Sequence, residues 1–315
     1  MEHDDTTVPV VRKQDFECAG PINVSVELDS GRLDIQLEKD TDGTAGPGAV
    51  TVQVRADPAG QPPWTAGITS LLSWLGEQTG GAPPGELAAE AVRQTVIDFT
   101  GQRLTVRSPR DFPLRAVPLT IQISAPSGSS ITARSGSADI AVDGVADRLD
   151  ASTGSGQIRA QRCTGQTDVR TGSGDVRLGS VLGRLRVRTG SGEVEVISIE
   201  GAAKAAGTSG GGGSVQTGSG NVRLGAVTHD MSARTGSGDL TVVDASAGGL
   251  ELTTGSGQLR VGIHPGVRAE LDVSSGSGRA HSDLPVGGPP AAGDVALRVR
   301  ARTGSGDALV TAAPC

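Results

Sequence analysis

The chain has 315 residues, 48 of them glycine, and a net charge of −7 from 28 basic and 35 acidic side chains. The glycines follow no G-X-Y period, which excludes collagen, and the acidic balance argues against nucleic-acid binding, whose affinity comes from a basic face neutralising phosphates. No run approaches 18 consecutive apolar residues, so no membrane span is expected.

The chain opens on "MEHDDTTVPVVRKQDFE", charged and without an apolar core. A secretory signal is not expected from it, and the cytoplasm is the default location. "DSGRLDIQLEKD" (29–40) then alternates Leu33, Ile35 and Leu37 with polar residues, the period of a half-buried strand. Residues 1–58 therefore read as early β coils or a β cap.

Residues 59–100 read differently. "AGITSLLSWLGEQ" places Ile68, Leu71, Leu72 and Leu75 on one helical stripe. "PPGELAAEAVRQTVIDF" opens on Pro84 and Glu86, both helix-start signals, and continues the stripe with Ala88, Val92, Val96 and Phe99. "TGGAPPG" separates the two. An inserted helical hairpin over 64–99 is expected, covering a sheet or an open end, or docking a partner protein through Trp64 and Trp74. The chain's five aromatic rings, Phe16, Trp64, Trp74, Phe99 and Phe112, all precede the repeats, so the repeats offer no ring for a sugar or base to stack on.

From Ser135 onward one phrase recurs. A T/S-G-S-G corner begins at Ser135, Thr153, Thr171, Thr189, Thr217, Thr235, Thr254, Ser275 and Thr303. The intervals are 18, 18, 18, 28, 18, 19, 21 and 28. A strand of period two follows each corner, as Val176 and Leu178 flank Arg177, and a second precedes the next, as Leu185 and Val187 flank Arg186. Such a unit cannot bury its apolar side alone; stacking copies buries it, with Val176 over Ile158 and under Val194. The expected fold is all-β, a β-solenoid of about 18-residue coils over 101–315. Glycine at the corner is expected for positive φ or close backbone approach.

The "SGSADI", "TGSGDV", "TGSGEV" series, with its lead-in "VPLTIQISAPSGSSI", resembles the bacterial β-strand-repeat family known as putative adhesins, a domain of unknown function. The likeness covers about residues 110–315 well and 14–57 loosely. It implies a β-solenoid and surface attachment, placing the cell surface beside the cytoplasm as a location. It brings no catalytic residues.

The chemistry legible in the repeats is sparse. The residue after each corner runs Asp139, Gln157, Asp175, Glu193, Asn221, Asp239, Gln258, Arg279 and Asp307. So mixed a column does not supply the oxygen set calcium needs. Outward arginines form two sets: Arg159, Arg177, Arg223 and Arg260 between inward residues, and Arg134, Arg170, Arg188, Arg234 and Arg302 before corners. They read as a solvated face paired with neighbouring acids, or as a strip binding a polyanionic polymer or an acidic partner protein. The four histidines, His3, His229, His264 and His281, show no HxxxH or HxH spacing, and no G-x-S-x-G is followed by a plausible triad order. "GTSGGGGSV" lacks the GK[ST] of a phosphate loop. The odd count of cysteines, Cys18, Cys163 and Cys315, matches neither a disulfide framework nor a zinc site; Cys163 reads as a packed hydrophobe and Cys315 as an exposed terminal thiol. No cofactor is expected. The sequence thus favours a non-enzymatic scaffold or adhesin-like binder. A regulatory protein docking through 64–99 is the alternative, and an enzyme acting on acidic polysaccharide is disfavoured.

Overall fold

The computed structural model describes residues 10–38, 48–57, 84–200, 212–285 and 295–314. Trp64, Trp74, the first helix of the expected hairpin and Cys315 lie outside the described residues. The chain divides into two compact units, Met1–Gly144 and Val145–Cys315.

The first unit contains strands Val11–Cys18 (β1), Asn23–Leu28 (β2), Gly31–Glu38 (β3) and Gly48–Ala56 (β4). Helix Pro84–Gln94 (α1) follows, then Val96–Thr100 (β5), Arg103–Arg107 (β6), Leu119–Pro126 (β7), Ser130–Ser135 (β8) and Asp139–Ala146 (β9). The period-two pattern places side chains as expected: Leu33, Ile35 and Leu37 of β3 and Val50, Val52 and Val54 of β4 are all buried. One sheet runs β1-β4-β7-β3-β9 and the other β5-β6-β2-β8. β1, β4 and β7 pair antiparallel, as do β5 and β6; the remaining pairs are parallel.

The helix is shorter than its apolar stripe. It ends at Gln94, and Val96 and Phe99 stand on β5, paired with Arg107 and Leu104 of β6. The β-branched Thr95-Val96-Ile97 run favours strand over helix once a partner strand is in reach. α1 buries Ala91 and Val92 and packs on β1 and β4. Arg12 of β1 donates to the carbonyls of Arg93 (3.0 Å) and Thr95 (2.6 Å), tying down the last helical turn. Phe16 and Phe99 stack with centroids 5.1 Å apart.

The second unit is the repeat itself. Its strands are Leu149–Thr153 (β10), Ile158–Cys163 (β11), Thr167–Thr171 (β12), Val176–Val181 (β13), Leu185–Thr189 (β14) and Val194–Ile199 (β15). Then come Gly213–Thr217 (β16), Val222–Val227 (β17), Met231–Ser237 (β18), Leu240–Ala245 (β19), Gly248–Ser256 (β20) and Leu259–Ile263 (β21). Ala269–Ser275 (β22), Ala280–Ser282 (β23), Leu297–Ser305 (β24) and Ala308–Ala312 (β25) end it. Even-numbered strands through β20 form one parallel sheet and odd-numbered strands through β21 the other, in chain order. Val176 pairs with Ile158 on one side and Val194 on the other, as the repeat predicts. The inner rows are continuous: Ala160, Leu178, Val196, Leu224, Val242 and Val261 are each at most 7% exposed. Cys163 belongs to such a row, opposite Val181, and its burial pushes the thiol pKa up. Where a coil has Gly213, the Met231 side chain of the next coil fills the space; a Cβ there would lie 2.3 Å from its sulfur.

Candidate anion-binding face

The corner organises everything outside the core, and it does so through threonine. Thr153, Thr171, Thr189, Thr217, Thr235, Thr254 and Thr303 are buried. Their hydroxyls bond to their own turn or to the adjacent coil, and that of Thr171 to both. Thr171 Oγ1 accepts the Gly174 N–H (2.9 Å), Thr189 the Gly192 N–H (3.0 Å) and Thr217 the Gly220 N–H (3.1 Å). Thr235 Oγ1 donates to the Gly220 carbonyl (3.1 Å) and Thr254 Oγ1 to that of Gly238 (3.0 Å). Close approach, rather than positive φ, explains the corner glycines. A Cβ on Gly174 would stand 1.8 Å from the Gly156 carbonyl oxygen, and of the corner glycines only Gly306 has positive φ.

The column after the corner is structural too. Asp175 Oδ1 accepts the Glu193 N–H (3.1 Å), Asn221 Oδ1 the Asp239 N–H (2.9 Å) and Asp239 Oδ1 the Gln258 N–H (2.8 Å). These side chains close backbone donors that the turn leaves without a ladder partner. Among the described residues no cluster of three or more His, Cys, Asp or Glu is placed to hold a metal ion.

The outward arginines separate into two unlike sets. On the β11–β21 sheet the register runs Arg159, Arg177, Glu195, Arg223, Thr241, Arg260. Each of these arginines has a partner: Arg159 reaches Gln157, Arg177 reaches Asp175 (3.4 Å), Arg223 reaches Glu195 (4.0 Å) and Arg260 reaches Gln258 (3.0 Å). Arg177 and Arg223 thus have carboxylate partners, whereas Arg159, in register with Arg177, and Arg260 are bonded to neutral glutamines.

The β10–β14 part of the other sheet is not matched. Arg170 and Arg188 are in register, about 4.8 Å apart along the stacking direction. Asp168 is in register with Arg186. Asp168 pairs with Arg170 at 3.0 Å and Arg186 at 3.9 Å, and its side chain is only 11% exposed. Its second oxygen is buried without a hydrogen-bond partner among the described residues. Exposed Arg148 and Arg184 precede β10 and β14. Arg148, Arg184 and Arg188 show no ion pair among the described residues. Five guanidinium groups thus share this face with Asp150 and Asp168. Arg234, grouped with Arg170 and Arg188 on sequence, lies two coils beyond Arg188 and is held by Glu251 at 2.9 Å. Sequence reasoning placed Arg170 and Arg188 here and missed Arg148, Arg184 and Arg186. The phrase "GRLRVRTG" carries the missing signal, since its alternate arginines share one face of β14.

A depression of about 350 Å³ in the first unit also collects arginines. Its charges are largely paired: Arg110 meets Glu27 at 2.6 Å and Arg115 meets Asp29 at 2.7 Å. The Arg110 hydrogen bond holds the Glu27 carboxyl below the usual carboxylate range. Two of the described histidines pair with a carboxylate, His264 with Asp244 (3.0 Å) and His281 with Asp283 (2.7 Å); both ring nitrogens of His229 are buried without a hydrogen-bond partner among the described residues.

This architecture, parallel strands stacked coil on coil around glycine corners, defines a β-strand-repeat protein. The chain belongs to the Toastrack DUF4097 family, whose model matches residues 101–212 and 213–310. No curated protein matches it. Among solved structures it is similar to a putative adhesin from Bacteroides fragilis NCTC 9343, at 12% identity over 96% of each chain and a TM-score of 0.41. It is also similar to a putative lipid binding protein from Parabacteroides distasonis ATCC 8503, at 9% identity over 95% of this chain and 96% of that one, TM-score 0.40. A putative cell adhesion protein from Clostridium sporogenes ATCC 15579 matches at 11% identity over 96% and 99%, TM-score 0.23. No helix among the described residues is long and apolar enough to cross a membrane.

Proposed function

We propose that this protein is a non-enzymatic scaffold whose β10–β14 face binds an extended polyanion, either a sulphated or phosphorylated polymer or an acidic segment of a partner protein. One observation carries this reading: five arginines stand on adjacent coils against two carboxylates, with Arg170 and Arg188 in register and Arg148, Arg184 and Arg188 without a counter-ion among the described residues. Like charges directly opposite each other on neighbouring strands destabilise a sheet. The fold does not need them, because an uncharged residue serves at the same outward position, Ser152, in β10. A ligand carrying repeated negative charge relieves the repulsion and gains charge-assisted hydrogen bonds.

The test compares two variants for binding to polyphosphate and to a sulphated polysaccharide. Replacing Arg148, Arg170, Arg184, Arg186 and Arg188 with Ser is expected to weaken binding at least tenfold and to flatten its salt dependence. Replacing Arg159, Arg177, Arg223 and Arg260 is expected to change it less than threefold. Equal affinity of the wild type and the five-site variant would overturn the proposal.

A further inference from the structure

Coils of a stacked repeat lie beside their sequence neighbours, and the end of this chain does not. β22–β23 follow β20–β21 in sequence. Yet β24 lies between β20 and β22, and β25 between β21 and β23. The last coil is inserted under the one before it.

The inserted coil makes the standard contacts on both sides. Leu297, Val299, Ala301, Ala308 and Val310 are at most 2% exposed. Toward β20–β21, Thr303 Oγ1 donates to the Gly257 carbonyl at 3.0 Å. Toward β22–β23, Ser275 Oγ donates to the Gly306 carbonyl at 2.8 Å, and Asp307 Oδ1 accepts the Arg279 N–H at 2.9 Å. Arg298 and Arg300 pair with Glu270 (3.2 Å) and Asp272 (3.3 Å). Among the described residues the outer coil is held on one side only: β22 and β23 end their sheets, Leu271 and Val273 are half-exposed, and β23 is exposed throughout. Loosening that coil opens the slot without unfolding the body.

We propose that β24–β25 is a transferable coil, which fills the slot of its own chain or that of a second copy, so that two chains can form an exchanged dimer. The proposal is independent of the anion-binding reading. Every contact just described is remade between chains, so the two states differ mainly by linker strain and the entropy of association. A short linker presents its own coil at an effective concentration on the order of mM. The monomer therefore prevails in dilute solution, and the dimer grows in concentrated protein once the outer coil loosens.

The test uses the full chain carrying Thr253→Cys and Arg302→Cys, which are register partners on β20 and β24, with Cys315→Ser to remove the terminal thiol. Protein at about 1 mM, the scale of that effective concentration, is warmed into the start of its unfolding transition, cooled and fractionated with light scattering. It is then treated with a short bifunctional thiol reagent. The expected species has twice the 31.6 kDa mass, survives dilution, and becomes a covalent dimer on a denaturing gel. No dimer, or a dimer whose cross-link stays within one chain, overturns the proposal. The unmodified chain supplies a second measurement that does not depend on the cysteine variant folding. A fluorescent peptide of residues 295–314, taken through the same cycle, should co-elute with it. A peptide with Val299→Asp and Val310→Asp should be captured at least tenfold less. Absent capture, or equal capture of both peptides, overturns it too.

Discussion

At the scale of single residues, the corner shows how little freedom the repeat leaves. Gly174→Ala places a methyl group 1.8 Å from the Gly156 carbonyl oxygen. Backbone must move, and a loss of about 1–3 kcal/mol is expected, read as a lower denaturant midpoint at constant slope. Ser173→Ala, one residue away on the exposed side, should stay within about 0.5 kcal/mol. Thr189→Val strips the acceptor from the Gly192 N–H and should lose about 1–3 kcal/mol, with Thr189→Ser recovering part of it. Two carboxylates should bend the pH profile in opposite directions. Glu27 is held low by the Arg110 hydrogen bond, so its stabilisation is present above its unfolded pKa and lost as pH falls through the lowered folded one. Burial pushes Asp34 up, against the pull of Arg32, with Asp143 adding to the rise. Its favourable contribution belongs to low pH and disappears as pH rises through the folded value. Asp34→Asn should therefore stabilise the protein slightly at neutral pH and not at acid pH. Thermal melts across pH check both.

At the scale of elements, the 18-residue interval is a register statement. Thr153, Thr171 and Thr189 are successive register partners. Deleting Thr171–Arg188 removes one whole coil and joins equivalent positions. That chain should remain folded, with strand-type circular dichroism and cooperative unfolding. Deleting 171–187 leaves one residue too many at the end of a strand, so the pairing at that junction must bulge; the corners Thr235 and Thr254 stay in register across 19 residues, so this chain should still fold, but with a lower denaturant midpoint than the whole-coil deletion. The helix teaches the converse. Its start at Pro84 and the inward Val92 were legible in local pattern, while buried Ala91 stands where the stripe names Ala88. Its end was not, because the competitor was the distant pairing of Val96–Thr100 with β6, which no local period reports.

At the scale of the molecule, both ends of the chain depart from sequence order. In the first unit β2 lies between β6 and β8 and β3 between β7 and β9, so residues 23–28 wait for residues 103–107 and 130–135, and residues 31–38 for residues 119–126 and 139–146. In the second unit β24–β25 are inserted in the same way. Such non-local pairing must close large loops before it is rewarded, so refolding should be slow, in the millisecond-to-second range or beyond. Stopped-flow refolding monitored by far-UV circular dichroism would show it.

What the sequence by itself determined is the coil: its period, its inward rows, its glycine corner and the outward direction of its arginines. All of these follow from side-chain alternation and from spacing within about twenty residues. What only the tertiary structure decided is which coil lies beside which at the two ends, and which arginines have partners. The T/S-G-S-G text is nearly the same in every coil, so any corner can stack on any other as far as local chemistry is concerned. Likewise, Arg186 and Arg188 stand two residues apart on one face of β14. The neighbouring coil sets Asp168 beside the first and Arg170 beside the second, and only the stacking of coils makes that difference.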